Sequence, residues 1–315
     1  MLALLLLTIG VPFLLLLIAA LFARVSQKRN TVALARGLRI ALISGAAIAL
    51  LVFVIGPRAY WLVALLTQQA WSTNLGFPDS PFQFALPLVV GSVAVAATLF
   101  APTPQDVAPV SANLTRRSIF FFSRRSTFIW IATLGALAVL AALIAGPTAT
   151  QDEYGNSRLI MFDSGSGTVG TETYGWYFSV PALGALGLLM ATAILALRRI
   201  AAPPLQLDAE RDLSARRVAS QLVGFQVIAA ILFHLAQILQ MFNTVGSVSG
   251  SFSTPAPGGA TLHQIWSPLA ALNPGLLFVS LAASSAAVFV WAFVFWRAAF
   301  ACSSASATPH ESPAR

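Results

Sequence analysis

The sequence predicts an all-α polytopic membrane protein with about seven transmembrane helices, its N-terminus outside and its C-terminus in the cytoplasm. Hydrophobic residues make up 57% of the 315 residues and charged residues only 9%, whereas about a quarter of the residues in soluble proteins are charged. Seven apolar stretches each approach the roughly 20 residues that a helix needs to cross the hydrocarbon core. With these stretches taken as spans, sixteen of the eighteen Lys and Arg residues fall on one side of the membrane.

The predicted spans form a single transmembrane domain over residues 1–300. The first span has its basic residues after it rather than before it, which is the reverse of a cleavable signal peptide, so it is predicted to be retained. Residues 301–315 are polar and are predicted to form a disordered cytoplasmic tail. The spans are residues 2–23, 38–57, 82–101, 127–146, 176–198, 218–242 and 276–299.

The orientation follows from the connections between the spans. The outer connections hold only Arg58 and Arg158, and connections rich in Lys and Arg stay in the cytoplasm. Seventeen of the eighteen basic residues are Arg, which together with abundant Ala is typical of a high-GC bacterial genome. The predicted location is therefore the bacterial cytoplasmic (inner) membrane.

After the first span, the chain resembles three helical hairpins in a 1+2+2+2 arrangement. Each descending span opens with a proline, and the first two have an aromatic residue three positions earlier. Glycine and proline also favour helix ends in general, so a true repeat and chance placement are both open interpretations. The residues concerned are Pro87, Pro181 and Pro274, preceded by Phe84 and Phe178.

The outer connection over residues 148–175 combines an apolar run, Leu159 to Phe162, with a turn-rich stretch from Asp163 to Gly167. This pattern predicts a β-hairpin. The inner connection over residues 199–217 has acidic residues leading and basic residues following, which predicts a short helix that complements its own dipole.

The sixth span carries a polar stripe. Gln226, His234, Gln237 and Gln240 fall on one helical face. Because lipid offers no hydrogen-bond partners, this face should meet protein or a water-filled path. One interpretation is a substrate path in which His234 is the only titratable group. The other is hydrogen bonding between packed helices.

An inner segment alternates arginine pairs with phenylalanines. Aromatic rings at the acyl boundary, with arginines reaching the phosphates, would suit an anionic lipid surface. The alternative is a docking element for a cytoplasmic partner. The residues predicted to make lipid or partner contacts are Arg116, Arg117, Phe120, Phe121, Arg124 and Arg125.

The sequence offers little for catalysis. All ten carboxylates lie outside the predicted spans, and the single cysteine, Cys302, excludes an intramolecular disulfide and a cysteine-based metal cluster. No phosphate-binding glycine loop or metal-ligand spacing occurs. The sequence therefore predicts no enzyme, no cofactor and no metal site. Nucleic acid is not a predicted partner either, because the basic residues flank apolar spans.

Two functions remain, besides a weakly supported enzyme using carboxylates of the outer connections. The first is a permease-like component of a transport system, with a cytoplasmic ATPase as a separate chain. The absence of a carboxylate within the spans argues against proton or sodium coupling. The second is a non-catalytic accessory or assembly subunit of a larger membrane complex. Anionic lipids at the cytoplasmic face are predicted partners in both cases.

Overall fold

The computed structural model describes residues 11–29, 33–55, 80–101, 122–163, 168–202, 209–256 and 259–303. Seven α-helices lie in this part of the chain. A π-helical turn, Leu51–Ile55, extends the second, and a 3-10 turn, Ala97–Phe100, extends the third. The helices are α1 (Val11–Arg29), α2 (Arg36–Leu50), α3 (Leu86–Ala96), α4 (Arg125–Thr148), α5 (Trp176–Ala201), α6 (Ala209–Gly246) and α7 (Asn273–Phe300).

The protein is a helical multi-pass membrane protein. Five described helices are long and apolar enough to cross a membrane, and two shorter apolar helices cover Leu14–Gln27 and Leu86–Phe100. Many large apolar side chains on the bundle surface are exposed, as expected where lipid replaces water as the solvent. Each predicted span overlaps one described helix.

Helix α6 is longer than the predicted sixth span. Its 38 residues begin at Ala209, with Glu210 and Asp212 in the first turn, where acidic groups favour the positive end of the helix dipole. No proline interrupts the chain between Ala209 and Gly246. The short helix predicted within residues 199–217 is therefore wrong as a separate element, since its charged residues form the first turns of α6.

The bundle is organised around α6. In the most apolar stretch of α6, 67% of the residues are buried. The corresponding stretches of the other four long helices are only 28–39% buried. It packs against α7, α3, α4 and α5, while α2 bridges α3 and α7 on one side. Helix α1 is peripheral, and its main contacts are with α7.

Small residues allow the helices to approach closely. A methyl group added at Gly91 of α3 would lie 2.5 Å from Cβ of Ala230 on α6. One added at Gly45 of α2 would lie 2.7 Å from the carbonyl oxygen of Ala94 on α3. Membrane helices depend on such close packing because lipid is as apolar as the helices themselves.

Three arginines cap the ends of three helices and so define one end of the bundle, called here the arginine-rich end. Nη2 of Arg39 donates to the carbonyl of Ala299 at 2.8 Å, and Nη2 of Arg199 to that of Ala101 at 3.0 Å. Nη1 of Arg216 donates to the carbonyl of Ile200 at 3.2 Å. These carbonyls lie at the C-terminal ends of α7, the α3 segment and α5, where cations are favoured.

At the arginine-rich end, β1 (Ala33–Leu34) pairs in parallel with β7 (Cys302–Ser303). This ladder joins the start of α2 to the end of α7, and it includes two residues that the sequence assigns to the tail. The rest of the predicted tail lies outside the described residues.

The opposite end of the bundle carries two small antiparallel sheets. One contains β2 (Thr150–Gln151), β3 (Ser157–Asp163) and β4 (Thr168–Glu172), so the hairpin predicted between α4 and α5 is confirmed. Phe162 of β3 packs against Val245 near the end of α6. The other sheet pairs β5 (Ser249–Ala256) with β6 (Gly259–Trp266), and the sequence did not predict it.

Asp152 organises the turn between β2 and β3. Its carboxylate accepts hydrogen bonds from the backbone N–H groups of Tyr154 and Asn156 and a 2.6 Å bond from Nε of Arg158. Gly155 adopts a positive φ of 78°, which glycine tolerates without strain. Arg158 also reaches Glu172 of β4 at 3.2 Å, so one arginine links the turn to the third strand.

Candidate functional site

The predicted polar stripe lies on the central helix. Gln226 and His234 are buried, with exposed fractions of 0% and 2%. Gln237 is half-buried and Gln240 is exposed. The stripe therefore begins in the middle of the bundle and reaches its surface towards the end that carries the sheets.

Gln226 contacts α2. Its Nε2 donates to the carbonyl of Leu42 over 3.4 Å, and because a carbonyl can only accept, this contact fixes which side-chain atom is the nitrogen. The Oε1 atom is buried and receives no hydrogen bond from any residue that the structure describes.

His234 is held by the segment that leads into α3. Its Nδ1 lies 2.8 Å from the carbonyl oxygen of Phe84. Since that oxygen has no proton, Nδ1 must carry one, and Nε2 is then the acceptor of the neutral ring. The bond connects two residues 150 positions apart in the chain.

A cluster of aromatic rings lies on one side of His234. The ring of Phe84 meets those of Tyr174 and Phe178 edge-on, with centroids 5.0 and 5.2 Å apart. Tyr174 is fully buried and lies 6.2 Å from the imidazole, centroid to centroid. Its hydroxyl has no hydrogen-bond partner among the described residues. The aromatic residues that the sequence places three positions before Pro87 and Pro181 thus contact each other.

The stripe reaches α7 through Gln240, whose Oε1 accepts a 3.0 Å hydrogen bond from Oγ of Ser280. On α6, on either side of Gln240, Oε1 of Gln237 and Oδ1 of Asn243 are buried and receive no hydrogen bond from a described residue. The four predicted residues therefore share one side of α6, but their contacts are distributed over three neighbouring elements, α2, the start of α3 and α7.

Sequence reasoning missed several polar groups of this region, namely Tyr174, Ser179, Asn243 and Ser280. Asn243 lies on a different side of α6 from Gln226, and Tyr174 precedes α5 rather than belonging to a span. Their burial results from packing between distant segments, and no local pattern in the sequence signals it.

At the arginine-rich end, Arg124 and Arg125 are exposed at the N-terminal end of α4. The other predicted members of that segment, Arg116, Arg117, Phe120 and Phe121, lie outside the described residues. Arg216 is buried: its guanidinium pairs with Asp212 at 2.9 Å and lies 5.9 Å from the ring centroid of Phe122.

Among the described residues, no three His, Cys, Asp or Glu side chains are close enough together to hold a metal ion. What this part of the chain offers chemically is a set of buried hydrogen-bonding groups on and around α6. The chain matches no protein-family model, no curated protein and no solved structure.

Proposed function

We propose that the protein is a permease-like component of a transport system, in which α6 forms one wall of a polar path. The observation that supports this proposal is the set of side-chain oxygens on α6 without partners among the described residues. On the face of the polar stripe these are Oε1 of Gln226 and Oε1 of Gln237.

A buried acceptor without a partner costs about 1–3 kcal/mol. Two such oxygens on one face of a helix are therefore unfavourable in a bundle that only needs to pack. Water or a passing substrate with N–H or O–H groups would satisfy them. Helix α6 is also the helix on which α3, α4, α5 and α7 pack, so a path through the bundle would pass along it.

The transport proposal includes a topology of seven spans, with the N-terminus outside, the C-terminus inside and a 1+2+2+2 order of helices, in a bacterial cytoplasmic membrane. The arginine caps support it, because Arg39, Arg199 and Arg216 each bond the terminal carbonyls of a different helix. Those helices, α7, α3 and α5, are three of the four that descend in the proposed topology, α1 being the other. A concentration of arginine residues at one end of the bundle is typical of the cytoplasmic side.

Energy for transport would come from an ATPase on a separate chain. Its docking sites would be the predicted cytoplasmic connections over residues 102–126 and 199–217, whose described residues lie at the arginine-rich end. Anionic lipids would neutralise the arginines that the ATPase leaves uncovered.

Cysteine accessibility tests the path. In a Cys302→Ser background, cysteines replacing Gln226, His234 and Gln237 should react with a small water-soluble thiol reagent in intact membranes. Ile231, which is fully buried on another side of α6, gives the matched protected control as Ile231→Cys. Tyr154, which is 75% exposed, gives the reactive control as Tyr154→Cys. If all three test positions react as slowly as position 231, the path does not exist.

The second candidate is an accessory subunit of a membrane complex. It is favoured by the hydrogen bonds that Gln226, His234 and Gln240 make to neighbouring segments. A polar face that only holds helices together requires no contacts beyond such bonds. Purification from the native membrane in mild detergent, followed by quantitative mass spectrometry, separates the two. A stoichiometric nucleotide-binding ATPase supports transport, whereas recovery with a respiratory or envelope-synthesis complex supports the accessory role.

A further inference from the structure

The ring of helices around α6 has an opening. Helices α4 and α7 both pack on α6, yet their described residues make almost no contact with each other. The strip of α6 that lies between them is called here the seam. It consists of Gln221, Ile228, Leu232, Leu235 and Leu239, all half-buried.

The two edges of the seam are defined by contacts. On one side, a methyl group added at Gly224 would lie 2.5 Å from Cγ2 of Thr127, so α4 is in tight contact there. On the other side, the ring of Phe225 lies 5.9 Å from that of Phe293 on α7. The seam residues fall between these edges at the spacing of a single helical face.

The seam has a cationic mouth at the arginine-rich end. Arg217, one turn before Gln221 and on the same face, is exposed, as are Arg124 and Arg125. Phe122 brings the two segments together, because its ring lies 5.9 Å from the guanidinium of Arg216. Arg216 is neutralised by Asp212, and no described residue forms an ion pair with the three mouth arginines. No side chain caps the N-terminus of α4 either, which leaves its positive end directed at the mouth.

We propose that the seam binds one anionic glycerophospholipid of the leaflet at the arginine-rich end, with the phosphate at Arg124, Arg125 and Arg217 and an acyl chain along α6. Half of a 30 Å hydrocarbon core corresponds to a rise of roughly ten helical residues, which reaches from Gln221 to about Leu232. A strip that is apolar beyond Gln221, with a mouth of three arginines that form no ion pair with a described residue, matches the chemistry of such a lipid.

This site is independent of the proposed transport function. The seam lies on the opposite side of α6 from Gln226, so a lipid bound there would not occupy the polar path. The lipid would instead close this gap between the described helices and hold α4 and α7 on the central helix.

Native mass spectrometry of the purified, delipidated full-length protein tests the proposal. Titration with phosphatidylglycerol and with phosphatidylcholine of the same acyl chains should give one bound phosphatidylglycerol per chain, preferred by at least about tenfold. The triple variant R124Q/R125Q/R217Q should lose that preference. The control R24Q/R36Q/R198Q removes three exposed arginines from the same end away from the seam and should keep it.

A second variant tests the acyl part of the site and remains informative if the triple variant fails to fold. Ile228→Trp should fill the seam and release the lipid with every arginine intact. Leu140→Trp, at a position of α4 that is 51% exposed, should retain it. Equal binding of the two lipids, equal losses in the test and control variants, or a second protein chain in place of the lipid would overturn the proposal.

Discussion

At the scale of single residues, Asp152 links two strands through one carboxylate. Desolvation acts to raise the pKa of this group, but the hydrogen bonds from Asn156, Arg158 and Tyr154 together outweigh it and lower the pKa below its ordinary value of about 3.8. The folded turn therefore favours the ionised form, and its stability depends on pH.

The sign of this dependence gives a prediction. Because the pKa is lower in the folded state, the stabilisation is complete above the ordinary value near 3.8 and is lost as the pH falls through the folded-state pKa. Between pH 7 and pH 3, the midpoint of thermal unfolding of the wild type should decline more steeply than that of Asp152→Asn. Glu153→Gln removes the neighbouring exposed carboxyl and should leave the wild-type profile unchanged. Parallel curves for the wild type and Asp152→Asn would contradict this role.

The site residues show what sequence spacing can predict. The offsets between Gln226, His234, Gln237 and Gln240 place the four residues on one face of a helix, and the structure contains all four within α6. That this face lines a path stays a prediction. Their partners were not predictable. The carbonyls of Leu42 and Phe84 are 184 and 150 residues away in sequence from the side chains that contact them, and only the tertiary packing brings them together.

At the scale of helices, the contact between α2 and α3 depends on a glycine. Gly45→Ala would place a methyl group 2.7 Å from a backbone oxygen of α3, which cannot rotate away. The substitution should reduce stability by roughly 1–3 kcal/mol, measured as a lower midpoint of thermal unfolding in detergent. Gly184→Ala on α5 is the matched control, since nothing lies within 4 Å of the added methyl group. Because alanine has a higher helix propensity than glycine, this substitution should be neutral or stabilising. Equal effects at both positions would show that the helices can separate without cost.

Elements differ in how well the sequence predicts them. Apolar length was enough to predict the helices, because a lipid-facing segment must satisfy its own backbone hydrogen bonds. The hairpin of β3 and β4 was predictable from an apolar run followed by turn residues. The hairpin of β5 and β6 was not, because its Gly, Ser and Pro content is more typical of a loop and its register comes from cross-strand pairing.

At the scale of the whole molecule, the proposed orientation can be measured with fused reporters. A fluorescent protein that matures only in the cytoplasm should be bright when fused after Ser303. Alkaline phosphatase, which folds only outside, should be active in the connection that holds β3 and β4. The arginine-rich end provides the physical reason, since positively charged connections are retained on the cytoplasmic side. Active phosphatase after Ser303 would reverse the proposed topology.

The peripheral position of α1 has a consequence for the order of events during synthesis. Among the described helices α1 packs chiefly on α7, through contacts such as those of Phe22 with Phe289 and Phe293. Helix α1 leaves the ribosome before the other described helices and α7 after them. It therefore waits in the bilayer for its main described partner, and any chain that stops short of α7 leaves the rings of α1 without those contacts, a state that membrane quality control can recognise.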